Sequence, residues 1–196
     1  MLASAEDEAR RLGHGHIGTE HVLLGLLDAR SGAAGQILRA AGATQDGCRS
    51  RVAELVGPPT GGADGGELSF TDRAKRALLR ADRLSLRRHD EYVEPDHILL
   101  SLLDVEGTAG QVLRGVSVDV AELRLAVSKV LDGAMRPVPR ARSGEQGEPR
   151  CNTCGSPLGG GPSTRVLRSR DEDGQDLRLI VTYCGSCGGI FGISPG

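Results

Sequence analysis

Tryptophan is missing from this 196-residue chain, and Phe70, Tyr92, Tyr183 and Phe191 are its only Phe or Tyr side chains. A platform that stacks successive nucleobases needs several exposed rings, so binding of single-stranded nucleic acid has little to be built from. A strongly basic segment is missing too. Residues 1–132 carry 16 basic against 20 acidic side chains, residues 133–150 carry 4 against 2, and residues 151–196 carry 4 of each, for a net charge of −2. Charge alone therefore gives no reason to expect a nucleic-acid partner. No stretch approaches the roughly twenty apolar residues of a membrane span. The opening Met-Leu-Ala-Ser-Ala-Glu-Asp-Glu has no basic region followed by an apolar core, so the chain reads as cytoplasmic. Gly-x-x-x-x-Gly-Lys-Ser/Thr, Gly-x-Ser-x-Gly and His-Glu-x-x-His are all absent. With no phosphate loop, nucleophile elbow or zinc-protease helix, the expectation is a non-enzymatic protein without an ATPase motor.

Cysteine is scarce but patterned. Cys48 stands alone on a helical pattern, where a small buried side chain is the ordinary reading. The other four form two knuckles, Cys151-Asn-Thr-Cys154-Gly and Cys184-Gly-Ser-Cys187-Gly. In a reducing compartment such pairs favour a metal over disulfides. Four thiolates converge tetrahedrally on one Zn²⁺ at about 2.3 Å each. Gly155 and Gly188 permit the tight turns that aim backbone N–H groups at the sulfurs. Because four cysteines fill the coordination shell, the zinc is expected to be structural. Redox chemistry is the rival, but neither pair follows a βαβ pattern. Between the knuckles, Arg165–Ser169 and Leu177–Tyr183 alternate as strands, with a hairpin turn at Asp171–Asp176. Residues 151–196 thus read as a β zinc ribbon, tethered by a Pro-, Gly- and charge-rich linker over 133–150.

The first two-thirds is duplicated. Ile17-Gly-Thr-Glu-His21-Val-Leu-Leu-Gly-Leu-Leu-Asp28 repeats as Val93-Glu-Pro-Asp-His97-Ile-Leu-Leu-Ser-Leu-Leu-Asp104, and Gly35-Gln-Ile-Leu-Arg39 as Gly110-Gln-Val-Leu-Arg114. Unit one (1–57) predicts helices near 2–12, 20–29, 33–41 and 45–56, with Thr19 as a cap and stops at Gly13, Gly42, Gly57 and Pro58-Pro59. Unit two (68–132) predicts helices near 72–88, from Pro95, and near 109–115 and 119–131. Thr71 caps the first of these, Phe70 staples its start, and Ala74, Ala77, Leu78, Ala81 and Ser85 form its buried face. Neither unit can bury its apolar stripe alone, so the expected fold is mainly α, a pseudo-twofold bundle of two four-helix repeats over 1–132.

Leu12–Leu27 resembles the Clp repeat in the N-terminal domain of ClpC-type unfoldases, and Phe70-Thr-Asp-Arg-Ala-Lys-Arg76 resembles its opening helix. The resemblance covers about residues 2–132. It implies an all-α domain that docks substrates and adaptor proteins and binds phosphoarginine-marked proteins. Two departures stand out. Met1–Ala5 aligns with Ala77–Ala81, so the counterpart of Phe70–Arg76 is missing from unit one, and either helix one is truncated or the true start lies upstream. Unit two carries Asp96, one methylene shorter, where unit one has Glu20, so paired ligand sites would be asymmetric.

By the resemblance, Thr19, Glu20, Phe70, Thr71 and Asp96 are the candidate ligand-binding residues, with Glu20 and Asp96 gripping a guanidinium and Phe70 matching an aromatic of a compound-binding surface. A carboxylate accepts two parallel hydrogen bonds from that planar fork, although an acid in a helix's first turn also serves the dipole alone. His21 and His97 read as core or capping histidines. Arg73, Lys75, Arg76, Arg80, Arg83, Arg87 and Arg88 read first as a solvated face interleaved with Asp72, Asp82 and Asp90. The functional expectation is an adaptor, competitor or decoy of a Clp protease system, with Clp components, their substrates, phosphoarginine or a Clp-targeting cyclic peptide as partners. The alternative is a DNA-binding regulator using the ribbon and helix 72–88.

Native mass spectrometry should show one zinc per chain, and Cys184→Ser with Cys187→Ser should abolish it. Zinc retained in that double variant, or none in the parent, rules out the four-cysteine site.

Overall fold

The computed structural model describes residues 1–28, 32–57, 68–90, 92–133, 163–170, 176–183 and 190–195. Unit one contains α1 (Leu2–Arg11), the two-residue strand β1 (His16–Ile17), α2 (Thr19–Leu27), α3 (Gly32–Ala40) and α4 (Gln45–Val56). Unit two repeats the order as β2 (Ser69–Phe70), α5 (Asp72–Arg87), α6 (Pro95–Asp104), α7 (Thr108–Gly115) and α8 (Val120–Gly133). A three-stranded antiparallel sheet follows in the order β3 (Ser163–Arg170), β4 (Asp176–Tyr183), β5 (Ile190–Pro195).

The boundaries follow from local chemistry. Thr44 and Thr71 cap α4 and α5 by accepting the amides of Gly47 and Ala74 at 3.2 and 3.3 Å. Asp119 caps α8 through the amides of Ala121 and Glu122. Gly13 and Gly42 take positive φ at the ends of α1 and α3, and in unit two His89 and Ser117 hold the corresponding left-handed turns without glycine. One expected cap is corrected. Gly18, not Thr19, is the cap of α2, and Thr19 is its first helical residue because the Thr19 hydroxyl is turned to another helix. Pro95 opens α6 behind Glu94, as a residue without an amide proton suits that position.

All nine residues of α2 are buried, and the helix packs against α1, α3, α4, α5, α6 and α7. Its sequence, apolar nearly all round, is that of a core helix rather than an amphipathic one. Leu23, Leu24 and Leu26 meet a common core that includes Leu78, Leu99, Leu102 and Leu113 of unit two, so the two units share one interior. Glu8 on α1 is clamped by Arg49 on α4, whose Nε and Nη2 donate at 2.8 and 2.7 Å. That bidentate bond holds the Glu8 carboxyl below its ordinary range, outweighing the effect of burial.

A further contact joins the units. β1 pairs in parallel with β2, matching His16 with Ser69 and Ile17 with Phe70, and the Thr71 amide extends the ladder to the Ile17 carbonyl at 3.0 Å. Within unit two, Asp104 at the end of α6 accepts Arg80 of α5 at 2.8 Å and also pairs with Arg124 of α8.

In the C-terminal sheet, β3 and β4 register Val166 with Ile180, and β4 and β5 register Val181 with Ile193. Both expected strands are present, one or two residues longer at their ends, and β5 is a third that the alternation pattern did not reveal. β3 and β5 run beside α5. Cys151, Cys154, Cys184 and Cys187, most of the 133–150 linker and the 171–175 turn lie outside the described residues, while Gly133, expected in the linker, closes α8.

Among the described glycines the tightest approach to backbone is at Gly25, where an added Cβ would lie 2.6 Å from the Met1 carbonyl oxygen and 3.0 Å from the Ala5 amide. Ser101 occupies the same place in unit two, so α5 and α6 already accommodate a side chain there. Gly25→Ala should cost about 1–3 kcal/mol in urea denaturation through backbone displacement, despite alanine's better helix propensity.

Candidate ligand-binding pocket

The parallel bridge sets the N-terminus of α2 beside that of α5. Between them lies a pocket of about 320 Å³ lined by Gly18, Thr19, Glu20, Thr71, Asp72, Arg73, Arg76 and Thr108. Three helix starts contribute, those of α2, α5 and α7, and the amide ends of aligned helices favour negative charge. Arg73 and Arg76 add positive charge, Glu20 and Asp72 negative. The lining is thus suited to a ligand that carries both an anion and a cation.

Glu20 is the unusual member. It is 7% exposed, and among the described residues its one hydrogen bond comes from the Thr19 hydroxyl at 3.4 Å. His21 Nδ1 approaches Glu20 Oε1 to 3.4 Å, but this is no ion pair. That nitrogen accepts the Gly18 amide proton at 2.9 Å and so carries none of its own. The carboxylate is left with a long bond and no compensating cation from its own helix, a state that a bound cation would relieve.

The supports of Glu20 are cross-unit. Thr19 Oγ1 donates to Glu20 and accepts the Ala109 amide of α7 at 3.3 Å, supplying the cap that Gly107 cannot. A Cβ on Gly107 would come within 2.8 Å of that hydroxyl, and one on Gly18 within 2.1 Å of Glu20 Oε1, so both glycines clear space for these side chains. His21 Nε2 donates to His14 Nδ1 at 2.8 Å. In unit two, His97 likewise accepts the Glu94 amide, and its Nε2 donates to Asp90 at 2.8 Å. The reading of both histidines as core or capping residues agrees with their burial and with these bonds. Burial pushes the His21 imidazole down to about 4, with His14 adding in the same direction, and burial also lowers His97 against the opposing pull of Asp90.

Of the residues singled out in the sequence, the fold brings Thr19, Glu20 and Thr71 together in this pocket. Thr19 is 2% exposed and acts by holding Glu20. Phe70 is 2% exposed and packed in the core behind the pocket lining, and Asp96 is buried at the start of α6, outside that lining. Sequence reasoning missed Gly18 and Thr108 as lining residues and assigned Arg73 and Arg76 to a solvated face. Their convergence depends on the β1–β2 pairing, between segments some fifty residues apart, for which two residues of strand leave no periodic signal.

The chain matches the Clp repeat (R) N-terminal domain over residues 1–116 and again over 69–151. It is 32% identical over 182 residues to the chloroplastic chaperone protein ClpC1 of Arabidopsis thaliana, covering 92% of this chain and 18% of that protein. An ATP-dependent Clp protease ATP-binding subunit, the ClpA homolog of Porphyra purpurea, is 36% identical over 132 residues, 67% of this chain and 16% of that protein. The chain therefore spans less than a fifth of the length of these relatives. Among solved structures, the N-terminal domain of the caseinolytic protease associated chaperone ClpD from Arabidopsis thaliana aligns with a TM-score of 0.55 and 26% identity, over 67% of this chain and 90% of that one. The Hsp104 N-terminal domain from Candida albicans aligns with the same TM-score at 18% identity, over 66% and 85%, a likeness of fold.

Acid should loosen the support of the pocket. The unfolded His21 protonates near pH 6.5 and the folded one only near 4, so stability is full above 6.5 and falls as pH drops through that interval. Urea unfolding at pH 7.5 and at pH 5 should differ by about 2 kcal/mol from His21 alone, with His97 adding in the same direction. His21→Gln should flatten this part of the profile.

Proposed function

Since this chain belongs to the family of Clp repeat (R) N-terminal domains, we propose that it is a non-enzymatic recognition module of a Clp protease system, binding protein substrates through a residue that carries phosphoarginine. The observation that carries the reading is the Glu20 carboxylate, buried without a hydrogen-bonded cation in a pocket whose lining also holds three helix N-termini, Arg73, Arg76 and Asp72. Phosphoarginine presents a planar guanidinium and a phosphate on one side chain. The guanidinium meets Glu20, and the phosphate meets the positive ends of α5 and α7 together with Arg73 or Arg76. An unmodified arginine satisfies the first half of the pocket only, and a phosphoserine the second half only.

Asp96 is the corresponding acid of unit two and is equally buried. The pocket is lined by Glu20 and not by Asp96, and Pro95 stands where Thr19 supplies the hydroxyl that holds the Glu20 carboxylate. We assign the function to one site, at Glu20, and a stoichiometry of one ligand per chain. The role as adaptor, competitor or decoy follows if such ligands are held without being processed. The four-cysteine ribbon is proposed as a second, zinc-stapled contact surface; β5, which begins at Ile190, three positions after Cys187 in the sequence, supports it by adding the third strand that such a small sheet needs.

Calorimetric titration of the full-length chain with a phosphoarginine peptide should give one site per chain. Glu20→Gln keeps the shape and removes the charge, and should weaken binding by about tenfold or more. Asp96→Asn should leave it unchanged. Equal affinity for the phosphorylated and unphosphorylated peptide overturns the assignment.

A further inference from the structure

The pocket accounts for Arg73 and Arg76 but not for the rest of the arginine series on α5. Arg76, Arg80, Arg83 and Arg87 recur at intervals of four, three and four residues and share one helix face. All four, and Arg73, are exposed, while Ala74, Ala77, Leu78, Ala81 and Ser85 fill the opposite, buried face. Lys75, grouped with the arginines in the sequence, is buried and belongs to neither set. Between Arg76 and Arg87 no acidic residue of α5 lies on the arginine face, since Asp82 falls about 100° from Arg83 around the helix. Among the described residues, the ion pair that this face makes with another element is to Asp104, which is divided between Arg80 and Arg124, so two cations share one anion. Arg83 and Arg87 make no hydrogen bond or ion pair among the described residues. Leu86, 64% exposed, borders them.

A solvated helix face ordinarily mixes both signs. This one carries a single sign and starts at residues that line the pocket. We propose that the arginine stripe of α5 is a docking track for an acidic stretch of the same polypeptide whose modified residue occupies the Glu20 pocket. This rests on the pocket reading above and adds to it the sequence context of the partner. Arg76 to Arg87 span about 16 Å at 1.5 Å per residue. An extended peptide covers that in about five residues, so the selected acids lie within about five positions of the docked residue. A continuous phosphate backbone fits less well, because Asp72 and the buried Glu20 stand at the head of the track.

The test is fluorescence anisotropy on the full-length chain with three labelled peptides. Two carry a central phosphoarginine flanked on each side by four glutamates or by four serines, and the third has the glutamate flanks around plain arginine. The glutamate-flanked phosphopeptide should bind about fivefold tighter than the serine one, a gain that two or three exposed ion pairs supply and that shrinks as salt is raised. Arg83→Glu with Arg87→Glu should erase the gain while leaving the serine peptide's affinity unchanged, and the milder R83Q/R87Q pair should lower it in the same direction. Equal affinity of the two phosphopeptides overturns the track and leaves the pocket standing. Failure of the serine phosphopeptide, with the unmodified glutamate peptide still bound through Arg83 and Arg87, overturns the pocket and supports the track. Duplex DNA binding more tightly than the glutamate phosphopeptide, with the same dependence on those arginines, overturns the peptide assignment.

Discussion

Burying the whole of α2 is the constraint from which the rest of this structure follows. A helix enclosed on every side buries its first turn as well, and that turn consists of Thr19, Glu20 and His21. Unpartnered polar groups in such a place cost several kcal/mol. Each is therefore anchored. His21 closes back on the Gly18 amide and reaches His14, while Thr19 reaches across to α7. Only the Glu20 carboxylate is left poorly satisfied, and it is the group that opens onto the pocket. The demand to satisfy a buried helix start and the geometry of the candidate site are the same feature.

Duplication supplied two such helix starts, and the chain has let them diverge. His14 has become Asp90, Thr19 has become Pro95 and Glu20 has become Asp96 at matching positions of the repeat. With proline in place of threonine, unit two loses the hydroxyl that in unit one both holds the carboxylate and caps a helix of the other unit. Asp90 gives His97 a carboxylate partner where His21 has an imidazole, so burial lowers His97 against the pull of Asp90 while His14 adds to the lowering of His21. The helices recur in the same order while the chemistry at their starts does not.

Much of the architecture was legible in the sequence because it is encoded locally. Glycine stops, the Thr44 and Thr71 caps, Pro95 at a helix start and the buried stripe of α5 are each set by neighbours within one or two turns, and the helix boundaries agree with expectation to within about two residues. The cap of α2 was misplaced by one residue because Thr19 has the side chain of a good cap; its hydroxyl is recruited by Ala109, ninety residues away. Phe70, whose match to a compound-binding aromatic suggested a surface role, is drawn into the core by the β1–β2 pairing.

The sequence by itself determined the helical repeat, its duplication, the pairing of four cysteines and the carboxylates at two helix starts, since all of these are matters of residue type and spacing along one chain. The tertiary structure decided which carboxylate faces a pocket and which arginines stand beside it. Those choices depend on long-range packing: a two-residue parallel bridge that sets α2 against α5, a threonine that serves another helix, and a face of α5 that keeps one sign of charge because Asp104 is divided between two arginines. None of these leaves a local pattern, because each partner lies tens of residues from the other.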